Sequence, residues 1–192
     1  MRKGRIGGSE IGCIMGWSPF KSREDLMADK LGLVERKPTS KAMERGIYLE
    51  DAVRRWLCDK EGFELDPERS TGTWVLEEDE RISYNADGVT TCDRLIEIKC
   101  PEFRDEEHGW GRQGKNSDKV PKHYWAQAQY GMMMFGLEEC YFGVLSGQPR
   151  FEFARYVVKA DPEAQAWMLE EAQKFLDELA TLQEGAPEWL NN

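Results

Sequence analysis

The sequence predicts one mixed α/β domain of α+β character, a central mixed β-sheet flanked by helices, over residues 1–192. Three observations lead there. Segments with helical apolar spacing open and close the chain, and short strand-like segments crowd residues 63–99 and 140–159. No internal repeat, low-complexity tract or splitting linker separates them. A chain of 192 residues with 40% hydrophobic content has enough apolar surface for one core.

Each element follows from local chemistry. Gly7-Gly8-Ser9 precedes a short helix over Glu10–Gly16, with Ser9 as the expected N-cap and Gly16 as the stop. Ser22 caps a second helix over Arg23–Leu31, which Gly32 ends. A long helix is predicted from Lys41 toward Lys60, with Ala42, Ile47, Leu49, Val53, Trp56 and Leu57 near helical spacing and Gly62 after it. Strands are predicted at Phe63–Leu65, Thr73–Leu76, Ile82–Ala86 and Leu95–Lys99. Residues 101–120 are polar and glycine-containing, so they read as a surface loop or lid. Helix returns over Lys122–Phe135, closed by Gly136. Two strands, Cys140–Leu145 and Arg150–Lys159, flank the turn at 146–149. A last helix opens at Asp161-Pro162 with Met168, Ala172, Phe175, Leu179 and Leu182 as its buried stripe.

Composition narrows the function classes. The net charge of -10 counts against a protein that coats nucleic acid broadly, because phosphate binding rewards lysine and arginine. A nuclease is not excluded, since metal ions neutralise phosphates locally. The five cysteines are widely spaced and form no CxxC pair, which disfavours a zinc ribbon or clustered iron–sulfur site. His108 and His123 lie fifteen residues apart with no further metal-type ligand in register. No Walker-type loop is present, so ATP hydrolysis is not expected. No segment resembles a signal peptide and none approaches the ~20 apolar residues that span a bilayer, so no membrane association is expected.

The segment from Tyr84 to Pro101 carries the chemistry. Asp87 precedes Glu97 by ten residues, and Lys99 follows Glu97 by two, within the apolar run Leu95-Ile96-x-Ile98. Alternation along a strand puts Glu97 and Lys99 on one face. A hairpin that brought Asp87 beside Glu97 would gather two carboxylates and an ammonium. Two acids suit a hard divalent cation, and the lysine suits an anionic substrate or an attacking water. Solvated hairpin charges are the bland alternative, which the apolar context of Glu97 weakens. Glu50, on the long helix, reads on its own as a surface carboxylate paired with Arg54. Gln127 and Gln129 fall on opposite faces of their helix, because a two-residue step turns it by about 200°. Tyr130 shares the face of Gln127 and suits either a core or a DNA contact. Arg2 and Ser9 alone are a basic terminus and a helix cap, although a hydroxyl and a guanidinium at a helix start also suit phosphate.

Strand-borne D…ExK resembles the PD-(D/E)xK nuclease superfamily, which implies its restriction-endonuclease-like core. Five separated pieces resemble, more narrowly, the lambda-phage-type exonuclease or YqaJ-like viral recombinase family. They are Arg2-Lys-Gly-Arg-Ile-Gly-Gly-Ser9, Arg45-Gly-Ile-Tyr-Leu-Glu50, Ala86-Asp-Gly88, Glu97-Ile-Lys-Cys-Pro101 and Tyr124-Trp-Ala-Gln-Ala-Gln-Tyr130. They keep the family's order and its approximate spacing over residues 2–130. Asn85 stands where the family tends to have serine, and the stretch between Lys99 and Gln127 departs from its pattern.

The resemblance implies a Mg²⁺-dependent 5′→3′ exonuclease, with Mn²⁺ able to substitute. Such an enzyme digests linear double-stranded DNA to 5′-mononucleotides and leaves a 3′ strand for recombination. It implies metal binding by Asp87, Glu97 and the carbonyl of Ile98, assisted by Glu50, with Lys99 and Gln127 acting on water and phosphate. It places Arg2 and Ser9 at the DNA 5′-phosphate and Arg45 and Tyr130 as further DNA contacts. It also implies a homotrimeric ring around DNA, a single-strand annealing protein as partner, and the cytoplasm of a bacterial or phage-infected cell. Two alternatives stand beside it. One is another nuclease of the superfamily, of RecB or CRISPR-associated type; the latter often carries late cluster-binding cysteines, and no cysteine follows Cys140 here. The other is a catalytically inactive DNA-end-binding module.

Overall fold

Helix starts follow from which side chain accepts the first free N–H groups. In the computed structural model, which describes residues 4–35, 38, 40–112, 119–148 and 150–185, α1 spans Gly8–Ile14. Its N-cap is Gly7, whose N–H donates to the Glu10 carboxylate at 2.9 Å. The expected start at Ser9 is therefore corrected. Glu10 also pairs with the buried Lys30 at 2.8 Å, which draws the helix start forward and leaves Ser9 inside the first turn. Ser22 and Asp161 cap as expected, and Ser40 adds a cap at an expected helix start. Ser22 accepts from Asp25 N at 3.1 Å to begin α2, Arg23–Lys30. Ser40 accepts from Met43 N at 3.2 Å to begin α3, Lys41–Glu61. Helix α4, Lys122–Phe135, ends at Gly136 in the left-handed region, φ 65°. Asp161 accepts from Ala164 N at 3.0 Å to begin α5, Pro162–Glu184.

The strands form two sheets. β1 (Trp74–Leu76) and β2 (Asp79–Tyr84) make an antiparallel pair. β3 (Gly88–Val89), β4 (Leu95–Lys99), β5 (Glu139–Ser146) and β6 (Glu152–Lys159) make a sheet in that order. β4 and β5 run parallel with α4 carrying the chain between them, and the other two pairings are antiparallel. The segment expected as a strand at Ile82–Ala86 stops at Tyr84 and pairs with β1, so the short β3 is the partner of β4. Phe63–Leu65 contributes one isolated bridge, Leu65 to Thr90, and no named strand.

Strand alternation divides the core between two faces of this sheet. Ile96, Ile98 and Leu145 pack with Val53 and Leu57 of α3. Leu95, Cys140, Phe142 and Val144 face the larger core built with α1, α4 and α5. Met168, Ala172, Phe175 and Leu179 of α5 are buried there as expected, with Leu176 added, whereas Leu182 is exposed. Over its described part the loop after β4 lies largely at the surface, as expected, but it is anchored. Trp110 is buried against Tyr124 and Tyr156, and the Tyr156 hydroxyl donates to the Gly111 carbonyl at 2.8 Å. Among the described residues, no helix is long and apolar enough to cross a membrane.

The apolar stripe expected along α3 is buried over its second half only. Val53 and Leu57 are fully buried, whereas Met43, Ile47 and Tyr48 are 61%, 67% and 78% exposed. Sheet contact thus holds α3 by its C-terminal half. Leu57→Ala is expected to destabilise the fold by about 2–5 kcal/mol through the cavity it leaves. Ile47→Ala is expected to fall within about 0.5 kcal/mol of wild type. Urea unfolding of the two variants checks the contrast, and equal losses would contradict it.

Candidate active site

β4 is a strand buried on both faces, and it carries two charged residues. Leu95, Glu97 and Lys99 project to the side of α4, while Ile96 and Ile98 project toward α3. Pairing of Gly88 with Ile96 sets Asp87 level with Glu97 on the neighbouring chain segment. The Asp87 Oδ2 atom accepts the Ile98 N–H at 2.7 Å, extending the ladder with a side chain just before β3 begins.

Glu97 is fully buried. Its Oε2 accepts from Lys99 Nζ at 2.6 Å and from Gln127 Nε2 at 2.7 Å, while the Tyr84 hydroxyl donates to Oε1. Burial pushes the Glu97 carboxyl up to about 7, the Lys99 ammonium draws it down and the Asp87 carboxylate adds to the rise. For Lys99 burial opposes the charged form, but Glu97 and Asp87 outweigh it and hold the ammonium above its ordinary value. The Lys99 ammonium also lies 5.2 Å from the centre of the Tyr124 ring.

Glu50 reaches this region from α3. Its pKa is raised by partial burial and then by the Asp87 charge, and Lys99 acts on it in the opposite sense. It also keeps the helical pair with Arg54, at 3.5 Å. Arg54 in turn donates to the Asp87 carbonyl at 3.0 Å, tying α3 to the start of β3. Arg45 donates to the Cys100 carbonyl at 3.1 Å, at the end of β4.

On α4, Gln127 faces Glu97, whereas Gln129 turns away, donates to the Lys159 carbonyl at 2.7 Å and accepts from Asp161 N at 2.8 Å. Tyr130 is fully buried in the core, so it is a packing residue and not a DNA contact. Ser9 is exposed in the first turn of α1, and among the described residues its hydroxyl makes no hydrogen bond. Arg2 lies outside the described residues. The histidines lie apart: His108 bonds Asp105 at 2.7 Å, and His123 packs beside Tyr124 and Phe20.

Glu50, Asp87 and Glu97 with the Ile98 carbonyl offer only oxygen atoms, and Lys99 offsets part of their negative charge. That donor set matches a hard divalent cation such as Mg²⁺. Among the described residues no three acidic, histidine or cysteine side chains already close around one point. The carboxylates are turned instead onto Ile98 N, Lys99, Gln127 and Tyr84. Three residues that touch this site were not singled out by the sequence reading: Tyr84, Arg54 and Tyr124. Inward alternation of Ile82 and Tyr84 was a usable signal for the first. Nothing in the sequence pointed Arg54 at a backbone carbonyl.

Comparison with known proteins agrees with this architecture. A profile described as the YqaJ-like viral recombinase domain matches residues 1–138. The uncharacterized protein YqaJ of Bacillus subtilis (strain 168) is 27% identical over 158 residues, which is 78% of this chain and 46% of that protein. The chain thus spans about half the length of this curated relative. A structure of LHK-Exo in complex with dAMP matches with a TM-score of 0.77 at 23% identity, covering 95% of this chain and 91% of that one. The alkaline exonuclease LHK-Exo from Laribacter hongkongensis matches at 0.76 and 24%, with the same coverage. A phage-related exonuclease from Haemophilus somnus 129PT matches at 0.64 and 16%, covering 92% and 95%. These likenesses show a shared fold, the one expected from the D…ExK pattern. The profile match covers well over half of the chain, from its first residue through β4 and α4, and the chain belongs to the YqaJ-like viral recombinase domain family.

Proposed function

We propose that this chain is a Mg²⁺-dependent exonuclease that digests linear double-stranded DNA from 5′ to 3′. It releases 5′-mononucleotides and leaves a 3′ single strand for recombination. The observation that carries the reading is the meeting of Glu97, Lys99 and Gln127 beside Asp87, with Glu50 close enough for its charge to act. Family membership and the likeness to exonuclease structures support it.

Asp87, Glu97 and the Ile98 carbonyl would hold the cation, assisted by Glu50, and Mn²⁺ would replace Mg²⁺. Bound there, the ion supplies Lewis-acid charge next to the scissile phosphate. Lys99, fixed by its bond to Glu97, orients the attacking water and stabilises the charge that develops on the phosphate. The Gln127 amide, anchored to the same carboxylate, has donor and acceptor capacity for the water or a phosphate oxygen. Ser9 and Arg2 would take the 5′-phosphate of the DNA end, and Arg45 would contact DNA beside β4. A homotrimeric ring would keep the substrate from leaving between cuts. A single-strand annealing protein would receive the 3′ strand, in the cytoplasm of a bacterial or phage-infected cell.

A digestion assay tests the reading. Linear duplex with a 5′-phosphate is expected to be degraded in Mg²⁺ faster than its 5′-hydroxyl counterpart, to survive in EDTA, and circular duplex to stay intact. Cutting of the circle, or a preference for the 3′ end, would overturn the assignment. Lys99→Ala is expected to lose about 10²-fold or more in rate, and an undiminished rate would exclude the stated role. Glu50→Gln is expected to lose about 10–100-fold and to recover part of that as Mg²⁺ is raised. Loss without any response to Mg²⁺ concentration would remove Glu50 from the metal-binding set.

A further inference from the structure

The buried oxygen of Glu97 has a partner that the mechanism above does not use. Tyr84 ends β2, a strand of the small two-stranded sheet and not of the sheet that carries Glu97. Its ring is almost wholly buried, and its hydroxyl donates to Glu97 Oε1. Lys99 and Gln127 both bond the other oxygen, Oε2. The two oxygens of this carboxylate therefore have separate keepers. Tyr84 holds one from the core, and the two polar residues of the site hold the other.

The ring that carries this hydroxyl has little freedom to move. A Cβ placed on Gly8 of α1 would come within 2.5 Å of Tyr84 Cδ2. A Cβ on Gly131 of α4 would come within 2.5 Å of the Tyr84 hydroxyl and 2.7 Å of Leu95 Cδ2. Both distances are too short for any real side-chain carbon, so the absent side chains of two glycines on two helices leave the slot for the ring. Phe135 meets the ring edge-on at 6.1 Å between centres, and Tyr130 lies tilted at 6.4 Å. A buried phenol without such a partner would cost stability, as would a buried carboxylate without one.

We propose that Tyr84 is the positioning residue for Glu97. It fixes the carboxylate plane through Oε1 and so limits the reorientation needed when a divalent cation binds, and Gly8 and Gly131 keep the phenol in place. This inference rests on the proposed role of Glu97 as a cation ligand. Partners that orient a ligating side chain commonly contribute 10–100-fold to metal affinity.

Tyr84→Phe removes the hydroxyl and keeps the ring. Calorimetric titration of the full chain with Mn²⁺ alone is expected to show affinity at least about 10-fold weaker than wild type. Affinity for a duplex DNA end, measured in EDTA, is expected to remain close to wild type, and the thermal midpoint to fall by only the few degrees that the loss of one buried hydrogen bond brings. Mn²⁺ affinity within about twofold of wild type would overturn the positioning role while leaving the nuclease reading intact. A parallel fall in DNA-end affinity and thermal midpoint marks a packing role and overturns it too. Failure of the wild-type chain itself to bind Mn²⁺ would sink the cation reading first, and this inference with it. Gly131→Ala gives a second measurement, since it crowds the phenol while leaving the hydroxyl present. It is expected to weaken Mn²⁺ binding, and unchanged affinity in a folded Gly131→Ala variant counts against the slot.

Discussion

A carboxylate buried in the middle of a strand is the constraint on which the rest of this structure depends. Glu97 has no exposure to solvent, and an ionised carboxylate in such a place is strongly disfavoured unless charge and hydrogen bonds compensate it. Here they do. Lys99 supplies opposite charge from the same strand, Gln127 donates from α4, and Tyr84 donates from β2. Three separate elements must therefore meet at one carboxylate, and their packing is the fold. On the proposed reading the same compensation would also serve chemistry, because groups that stabilise a buried charge are already oriented before substrate arrives.

The sheet provides the means. One strand alternates between two environments, so Glu97 and Lys99 enter the polar site while Ile96 and Ile98 fasten the strand to α3. Parallel pairing of β4 with β5 requires a crossover, and the crossover helix α4 returns across the face from which Glu97 projects. Gln127 comes within reach through that connection, thirty residues away in sequence. On the other face, α3 is held by Val53 and Leu57 and reaches the site rim with Glu50, while Arg54 ties it to the Asp87 carbonyl. The acidic pair thus sits where two layers meet at the end of a short strand.

The sequence made some of this legible through local rules. The caps at Ser22 and Asp161 each satisfy a backbone N–H three residues on, which depends on near neighbours alone. The opposite facings of Gln127 and Gln129 follow from helix geometry. The failures have non-local causes. Ser9 lost the cap because Glu10 also pairs with Lys30 from another helix. Tyr130 shares a helix face with Gln127 but lies one turn deeper, buried in the larger core with Tyr84 of β2 alongside. The first half of α3 has apolar spacing, but among the described residues nothing covers Met43, Ile47 and Tyr48, so periodicity could not tell which half was buried.

By itself, then, the sequence determined the residue types of the candidate site and their placement along each element. Asp87, Glu97 and Lys99 on adjoining strand segments, Glu50 on a helix and Gln127 on another follow from spacing, because helix and strand periods are local properties of the chain. Only the tertiary structure decided which atoms meet. That Glu97 lies out of water, that Asp87 bonds a backbone N–H, and that Tyr84 from a separate sheet takes the second Glu97 oxygen all depend on distant segments packing together. A buried charge selects its partners by proximity in space, and sequence separation gives no measure of that.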